Sequence, residues 1–201
     1  MRTKIQFDEI GYWSEIKLEI QKEYAAAYSK ILTAQKSPSL YHVYIDAFAG
    51  AGLHLAKSSQ ELDLNWSVIY NAGTMKSLDI FLNFPVADMN RNVLWRNPDN
   101  VDDSQKDRMN SFWGDTSWIG AAYRTDSTLF NEPEKRSNDD IAEAFRKRLK
   151  EVAGFARVPR PVPMRNSLGA IVYYLFFASQ KNAAEAIVLD IFKKYENRRA
   201  P

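Results

Sequence analysis

The run Tyr41-His42-Val43-Tyr44-Ile45-Asp46-Ala47-Phe48-Ala49-Gly50-Ala51-Gly52 constrains the fold more than any other segment. β-branched and aromatic residues lead into an acid, and a pair of spaced glycines follows at once. Such a run predicts a buried strand ending in a glycine-rich bend. Gly50 and Gly52 accept positive φ and let a ligand lie against bare backbone, whose N–H groups then face it. Asp46, at the strand's end, can accept hydrogen bonds from an amine or from hydroxyls. The same two glycines also make an ordinary tight turn, and the third glycine of the dinucleotide fingerprint is missing.

Composition narrows the chemistry around that bend. The chain has 201 residues, 45% hydrophobic and 26% charged, as an ordinary globular protein does. That length allows one large domain, or a core with a small appendage. There is no cysteine, so disulfides, thiol nucleophiles and thiolate-held metals are excluded. His42 and His54 are the only histidines, too few for a histidine metal centre. No apolar run reaches membrane-span length and the opening residues carry no signal-type core, so the expected location is cytoplasmic. A net charge of +2 announces no polyanion partner by itself. Arg157, Arg160 and Arg165 form a local basic group, with Lys193-Lys194 and Arg198-Arg199 in the tail; solvated faces or nucleic-acid contacts both fit them.

The remaining pattern alternates helix and strand. Ser14 can cap a helix to about Gln35, with Trp13, Ile16, Ile20, Tyr24, Ala27 and Ile31 as its apolar stripe. Asp63 can cap another, with Trp66, Ile69 and Tyr70 inward and Gly73 near its end. A strand from Ser77 or Leu78 to Phe84 stops at Pro85. Residues 86–133 then lose clear periodicity and read as an insertion or lid with short helices near 104–112 and 117–123. Ser137 or Asn138 caps a helix turning Ile141, Phe145, Leu149 and Val152 inward, and Gly154 closes it. Residues 155–164 are extended but hold Pro159, Pro161 and Pro163, which suits an edge or bulged strand. Ala170 to Ala178, apolar on both faces, predicts a buried strand. The last helix, 182–195, is expected to bury Ala186, Val188 or Leu189, and Phe192.

Several of these stretches together resemble one family, the three-Cys-motif partner proteins. They are Phe7 to Leu18, Tyr44 to Gly52, Ile80 to Pro85 with Asp88-Met89-Asn90-Arg91-Asn92, Phe112-Trp113-Gly114-Asp115, Pro163 to Asn166, and Phe176 to Ser179. The resemblance implies an α/β fold with a Rossmann-like, class I methyltransferase-type sheet that ends in an antiparallel hairpin and a helix. It implies S-adenosylmethionine held by Asp46, Phe48, Gly50 and Gly52, with Trp13 and Lys17 bordering it. It also implies a partner protein, encoded nearby, that bears three cysteines and performs iron–sulfur or radical chemistry. DNA or RNA is the expected substrate class, with no membrane. Asn83, Asp88, Asn90, Arg91 and Arg96 are the substrate-side expectation, Trp95, Trp113 and Trp118 can stack on a base or pin the long segment, and no catalytic base is named.

One departure accompanies this. Only ten residues, Leu53 to Leu62, separate the glycine bend from the helix capped at Asp63, whereas a βαβ unit takes roughly 30 residues. The sheet is therefore expected to be incomplete, lacking the strands that belong between 53 and 62, with exposed edges that favour oligomerisation. The expected division is a core at 1–135 carrying the 86–133 insertion, and a segment at 136–201 that completes the sheet or forms a winged-helix-like module.

Overall fold

The computed structural model describes residues 12–34, 66–124, 133–196 and 198; the side chains of Trp13, Ser14 and Val68 fall outside that description. The whole Asp46–Gly52 bend, both histidines, the 53–62 link and Asp63 lie outside the described residues. Helix α1 spans Tyr12–Ala34, α2 Trp66–Thr74, β1 Ile80–Phe84, α3 Val86–Asn92, α4 Asp103–Trp113 and α5 Trp118–Ala122. A two-residue ribbon follows, β2 Tyr123–Arg124 and β3 Glu134–Lys135, then α6 Asn138–Glu151, β4 Val162–Arg165, β5 Ile171–Ala178 and α7 Asn182–Tyr195.

The principal sheet has the order β1-β5-β4, with β5 antiparallel to both neighbours. Ile80 pairs with Ala178 and Phe84 with Tyr174; on the other side Val162 pairs with Leu175. All pairings among the described strands are antiparallel. The fold is thus mixed α/β around a small antiparallel sheet. The expected strand from Ser77 or Leu78 begins at Ile80 instead.

Strand alternation assigns each side chain to a face. Leu82, Phe84, Tyr174, Phe176 and Ala178 join a core with α2 to α6. Leu175, Phe177, Val162 and Met164 join a second core with α1 and α7. Helices therefore cover both faces, which is why β5 is apolar on both sides and why Tyr174 to Ala178 are all at most 3% exposed. Between Met164 and Arg165 the partner on β5 jumps from Tyr173 to Ile171. That extra residue reverses the alternation, so Ile171 packs with the even-numbered set. β4 lies at the end of the described sheet order, a position that tolerates Pro163, and the extra residue, Val172, belongs to β5.

Helix phases depart from expectation at four positions. Tyr70 is 48% exposed and Val152 43% exposed, because Val152 is already the C-cap and leaves the α6 stripe. On α7 the buried set is Ala184, Val188, Ile191, Phe192 and Tyr195, so Val188 rather than Leu189 is the inward one of the two alternatives, and Ala186 faces outward. Ile31 is likewise 39% exposed, past the end of the α1 contact with the sheet.

Pro85 does not end order. It stands at the N-cap of α3, where a fixed φ and a missing N–H cost nothing. The 86–124 stretch is largely helical and packs against β5 and α6 rather than hanging free. Trp113 and Trp118 are buried there, 2% and 1% exposed, as anchors.

Candidate functional site

The polar groups of greatest interest gather where β1 ends and α3 begins. Asn83 is the penultimate residue of β1 and lies on the α1/α7 face by alternation. Its carboxamide oxygen is buried and has no hydrogen-bond partner, an unusual condition for a buried acceptor. Asp88, Asn90 and Arg91 belong to α3, on the opposite face. Asp88 accepts from the Asn92 amide at 3.0 Å and lies 3.7 Å from the Arg91 guanidinium, which is 75% exposed. Asn90 turns toward β3 and α6: its amide nitrogen donates to Asn138 at 3.1 Å, and its oxygen accepts from the Lys135 ammonium at 2.5 Å. Arg96 is exposed on the following loop. The five expected substrate-side residues therefore do not converge on one point. The sheet separates Asn83 from the rest.

Residues outside that expectation complete the region. Lys135 is half-buried, and desolvation lowers its proton affinity. The Tyr174 hydroxyl donates to Asp139 at 2.5 Å; burial first, and then this bond, push the phenol well above its ordinary range. Tyr123 donates to the Trp95 carbonyl at 2.7 Å, and burial raises its phenol to about 12. Arg136, just before the Ser137 cap of α6, has a buried Nε with no partner. The run Glu134-Lys135-Arg136 beside a helix-capping serine was the available sequence signal for this cluster.

A second polar centre is built around Arg148 on α6. Its guanidinium donates to the Trp113 carbonyl at 2.6 Å, the Ser117 hydroxyl at 3.1 Å and the Asp115 carboxylate at 2.8 Å. It also lies 4.5 Å from the centre of the Trp66 ring. Hydrogen bonds from Ser117, with Arg148 adding to them, hold the Asp115 carboxyl below its usual range. Gly114, at φ +102°, brings the backbone so close to Trp66 that a Cβ would sit 2.3 Å from the indole. An open cleft of about 490 Å³ lies beside this centre, with Tyr70 and Val152 among its walls. Arg148 spends its donors on the protein, so this is an arrangement that fixes α4, α5 and α6 together.

The basic group Arg157, Arg160 and Arg165 is dispersed. Arg157 is opposite Ser179 and Arg165 opposite Ile171. Eight residues of strand separate them, roughly 26 Å. Arg157 approaches Glu185 at 3.7 Å and Arg165 donates to the Gly169 carbonyl at 3.0 Å. In the tail, Lys193 and Lys194 meet Asp190 and Glu23, and Arg198 meets Glu19.

Among the described residues no cluster of acids and histidines is arranged to hold a metal. No helix among them is long and apolar enough to cross a membrane. Comparison of the chain with family models, curated proteins and solved structures gave no match.

Proposed function

We propose that this chain is a three-Cys-motif partner protein of the methyltransferase-like kind, working beside a cysteine-bearing partner on nucleic acid. The observation that carries the reading is the ending of the sheet: β4 and β5 form an antiparallel hairpin after α6, β5 lies against β1, and α7 closes the chain on the sheet. A class I methyltransferase sheet finishes in that way. In this reading β1 is an inner strand of a Rossmann-like sheet, and the strand ending at Asp46 belongs beyond it. Asp46 would accept from the cofactor's amine or hydroxyls, and the Gly50 and Gly52 backbone amides would face it. S-adenosylmethionine would supply an activated methyl group. Asn83 would offer its unpartnered oxygen to a substrate N–H near the end of β1, holding the acceptor nitrogen for transfer.

A non-catalytic docking subunit is the second reading, and one observation favours it. Glu23, Asp115 and Glu143 are each engaged by a cation of the fold itself, Lys194, Arg148 and Arg146. A general base needs a lone pair free to meet the substrate's proton. Isothermal titration with S-adenosylmethionine separates the two readings. Micromolar binding abolished by Asp46→Ala and by Gly50→Val supports the methyltransferase-like reading; no heat at millimolar cofactor refutes it.

A further inference from the structure

We infer that the surface made by α3, its following loop and the β2–β3 ribbon binds single-stranded nucleic acid, with a base stacked on Trp95 and phosphates on the surrounding arginines. The inference deepens the nucleic-acid half of the reading above and is independent of the methyl donor. Trp95 is the exception among the tryptophans whose side chains are described: it is 43% exposed, whereas Trp66, Trp113 and Trp118 are at most 8% exposed. Its ring is nonetheless held in place. The indole nitrogen donates to the Arg91 carbonyl at 2.7 Å, and the Trp95 carbonyl receives the Tyr123 hydroxyl at 2.7 Å. A fixed, solvated ring on a pinned loop is a stacking platform that loses little entropy on binding.

Exposed arginines stand near it. Arg96 and Arg124 are exposed and make no ion pair among the described residues. Arg91 is 75% exposed with Asp88 no closer than 3.7 Å. Arg136 keeps a buried Nε with no acceptor, and Lys135 rests on a neutral amide rather than on a carboxylate. A partly desolvated guanidinium without an acceptor is costly, and an anion's oxygen relieves that cost. Acids lie among the arginines: Asp88 pairs with Arg91, while Asp139 and Asp140 keep their charge and accept from the neutral Tyr174 and Ser137 hydroxyls. Glu134 stands directly across the ribbon from Arg124, and exposed Asp99 adds a further acid on the rim, so the arginines would act as individual phosphate contacts rather than through a net positive field. The pieces are physically joined, since Asn90 bonds Lys135, Tyr123 bonds Trp95 and the Arg136 N–H bonds the Ala122 carbonyl at 2.7 Å. Stacking inside a duplex hides the base faces, so an aromatic platform beside arginines suits an unpaired strand.

Fluorescence anisotropy with a labelled oligothymidine, on the order of 20 nucleotides, tests this. The full chain should bind at low salt. Trp95→Ala should weaken binding by about 5- to 100-fold, and Trp95→Phe should retain most of it. Arg96→Ala with Arg124→Ala should flatten the log-affinity against log-salt slope by about 1.4, from two lost phosphate contacts. These side chains are exposed, and unchanged circular dichroism melts confirm folded variants. Absence of binding at low salt, variants that bind as the parent does, or equal affinity for phosphatidylserine vesicles would each overturn the inference. A chain that binds S-adenosylmethionine but no oligonucleotide refutes this surface alone; the reverse result refutes the cofactor reading alone.

Discussion

The two faces of the sheet are held by different physics. On the face covered by α2 to α6, Phe84, Phe112, Phe145, Phe176 and Trp113 form a continuous aromatic cluster with ring centres 5.0–5.8 Å apart, in tilted, edge and stacked contacts. On the face covered by α1 and α7, the apolar layer is thinner and its margin is polar. Tyr24 donates to Asp79 at 2.7 Å, Tyr195 to Glu23 at 2.7 Å, and the Lys194 ammonium to Glu23 at 2.6 Å. The first face is assembled mostly from the continuous stretch 66–178; the second ties the two far ends of the chain together, with partners 171 and 172 residues apart. Apolar burial is non-directional and large in sum, whereas each hydrogen bond is worth about 1 kcal/mol net yet fixes a particular register. The aromatic face should therefore set total stability, and the α1/α7 face should set how the terminal helices seat.

The largest break should come from Phe145→Ala. Phe145 is fully buried and touches Phe84, Phe112, Trp113, Phe176 and Trp66, so chemical denaturation should show a loss of about 3–5 kcal/mol. A loss under about 1 kcal/mol would place the main core elsewhere. Next is Gly73→Ala, where a Cβ would lie 1.8 Å from the Ala153 carbonyl oxygen and force α2 away from the end of α6. About 1–3 kcal/mol is expected, read from the denaturation midpoint. On the other face Tyr24→Phe removes one of Asp79's two buried donors and leaves Ser179 at 2.6 Å. About 1–2 kcal/mol should be lost, with hydrogen exchange rising in α1 before it rises in α6.

The smallest effect is electrostatic. Hydrogen bonds from Lys194 and then Tyr195 lower the Glu23 carboxyl below its ordinary 4.5. A depressed carboxyl contributes stability above its unfolded value and loses it as pH falls through the folded one. Glu23 is 36% exposed at its side chain, so screening limits the contribution to under about 1 kcal/mol. Glu23→Gln should erase that part of the acid limb below about pH 4.5 in a melting series, while leaving the aromatic face's protection from exchange unchanged. An acid limb identical in the variant would show that the carboxylate does not seat α7.

What the residues disclosed in advance depended on periodicity. α1, α6 and α7 lie within a few residues of expectation because long amphipathic stripes and a serine cap leave little freedom. β5 was readable from its apolarity on both sides. Errors arose where the stripe ran past a helix end, at Val152, or where an alanine carried no phase information, at Ala186 in place of Ala184. α3 was hidden because Pro85 reads equally as a stop and as a helix start. Site residues were less legible. Asp88, Asn90 and Arg91 were visible as polar types, but α3 rather than composition decides that Asn90 faces Lys135 and Arg91 faces water. Arg157 and Arg165 are close in number yet at opposite ends of an extended strand, a separation that spacing alone does not reveal.

The most direct test of the methyltransferase-like account is a crystal of the full chain soaked with S-adenosylmethionine. Electron density for the nucleoside against the Asp46–Gly52 backbone is the expected result. Side chains filling that bend, or no ligand there at saturating concentration, would contradict it.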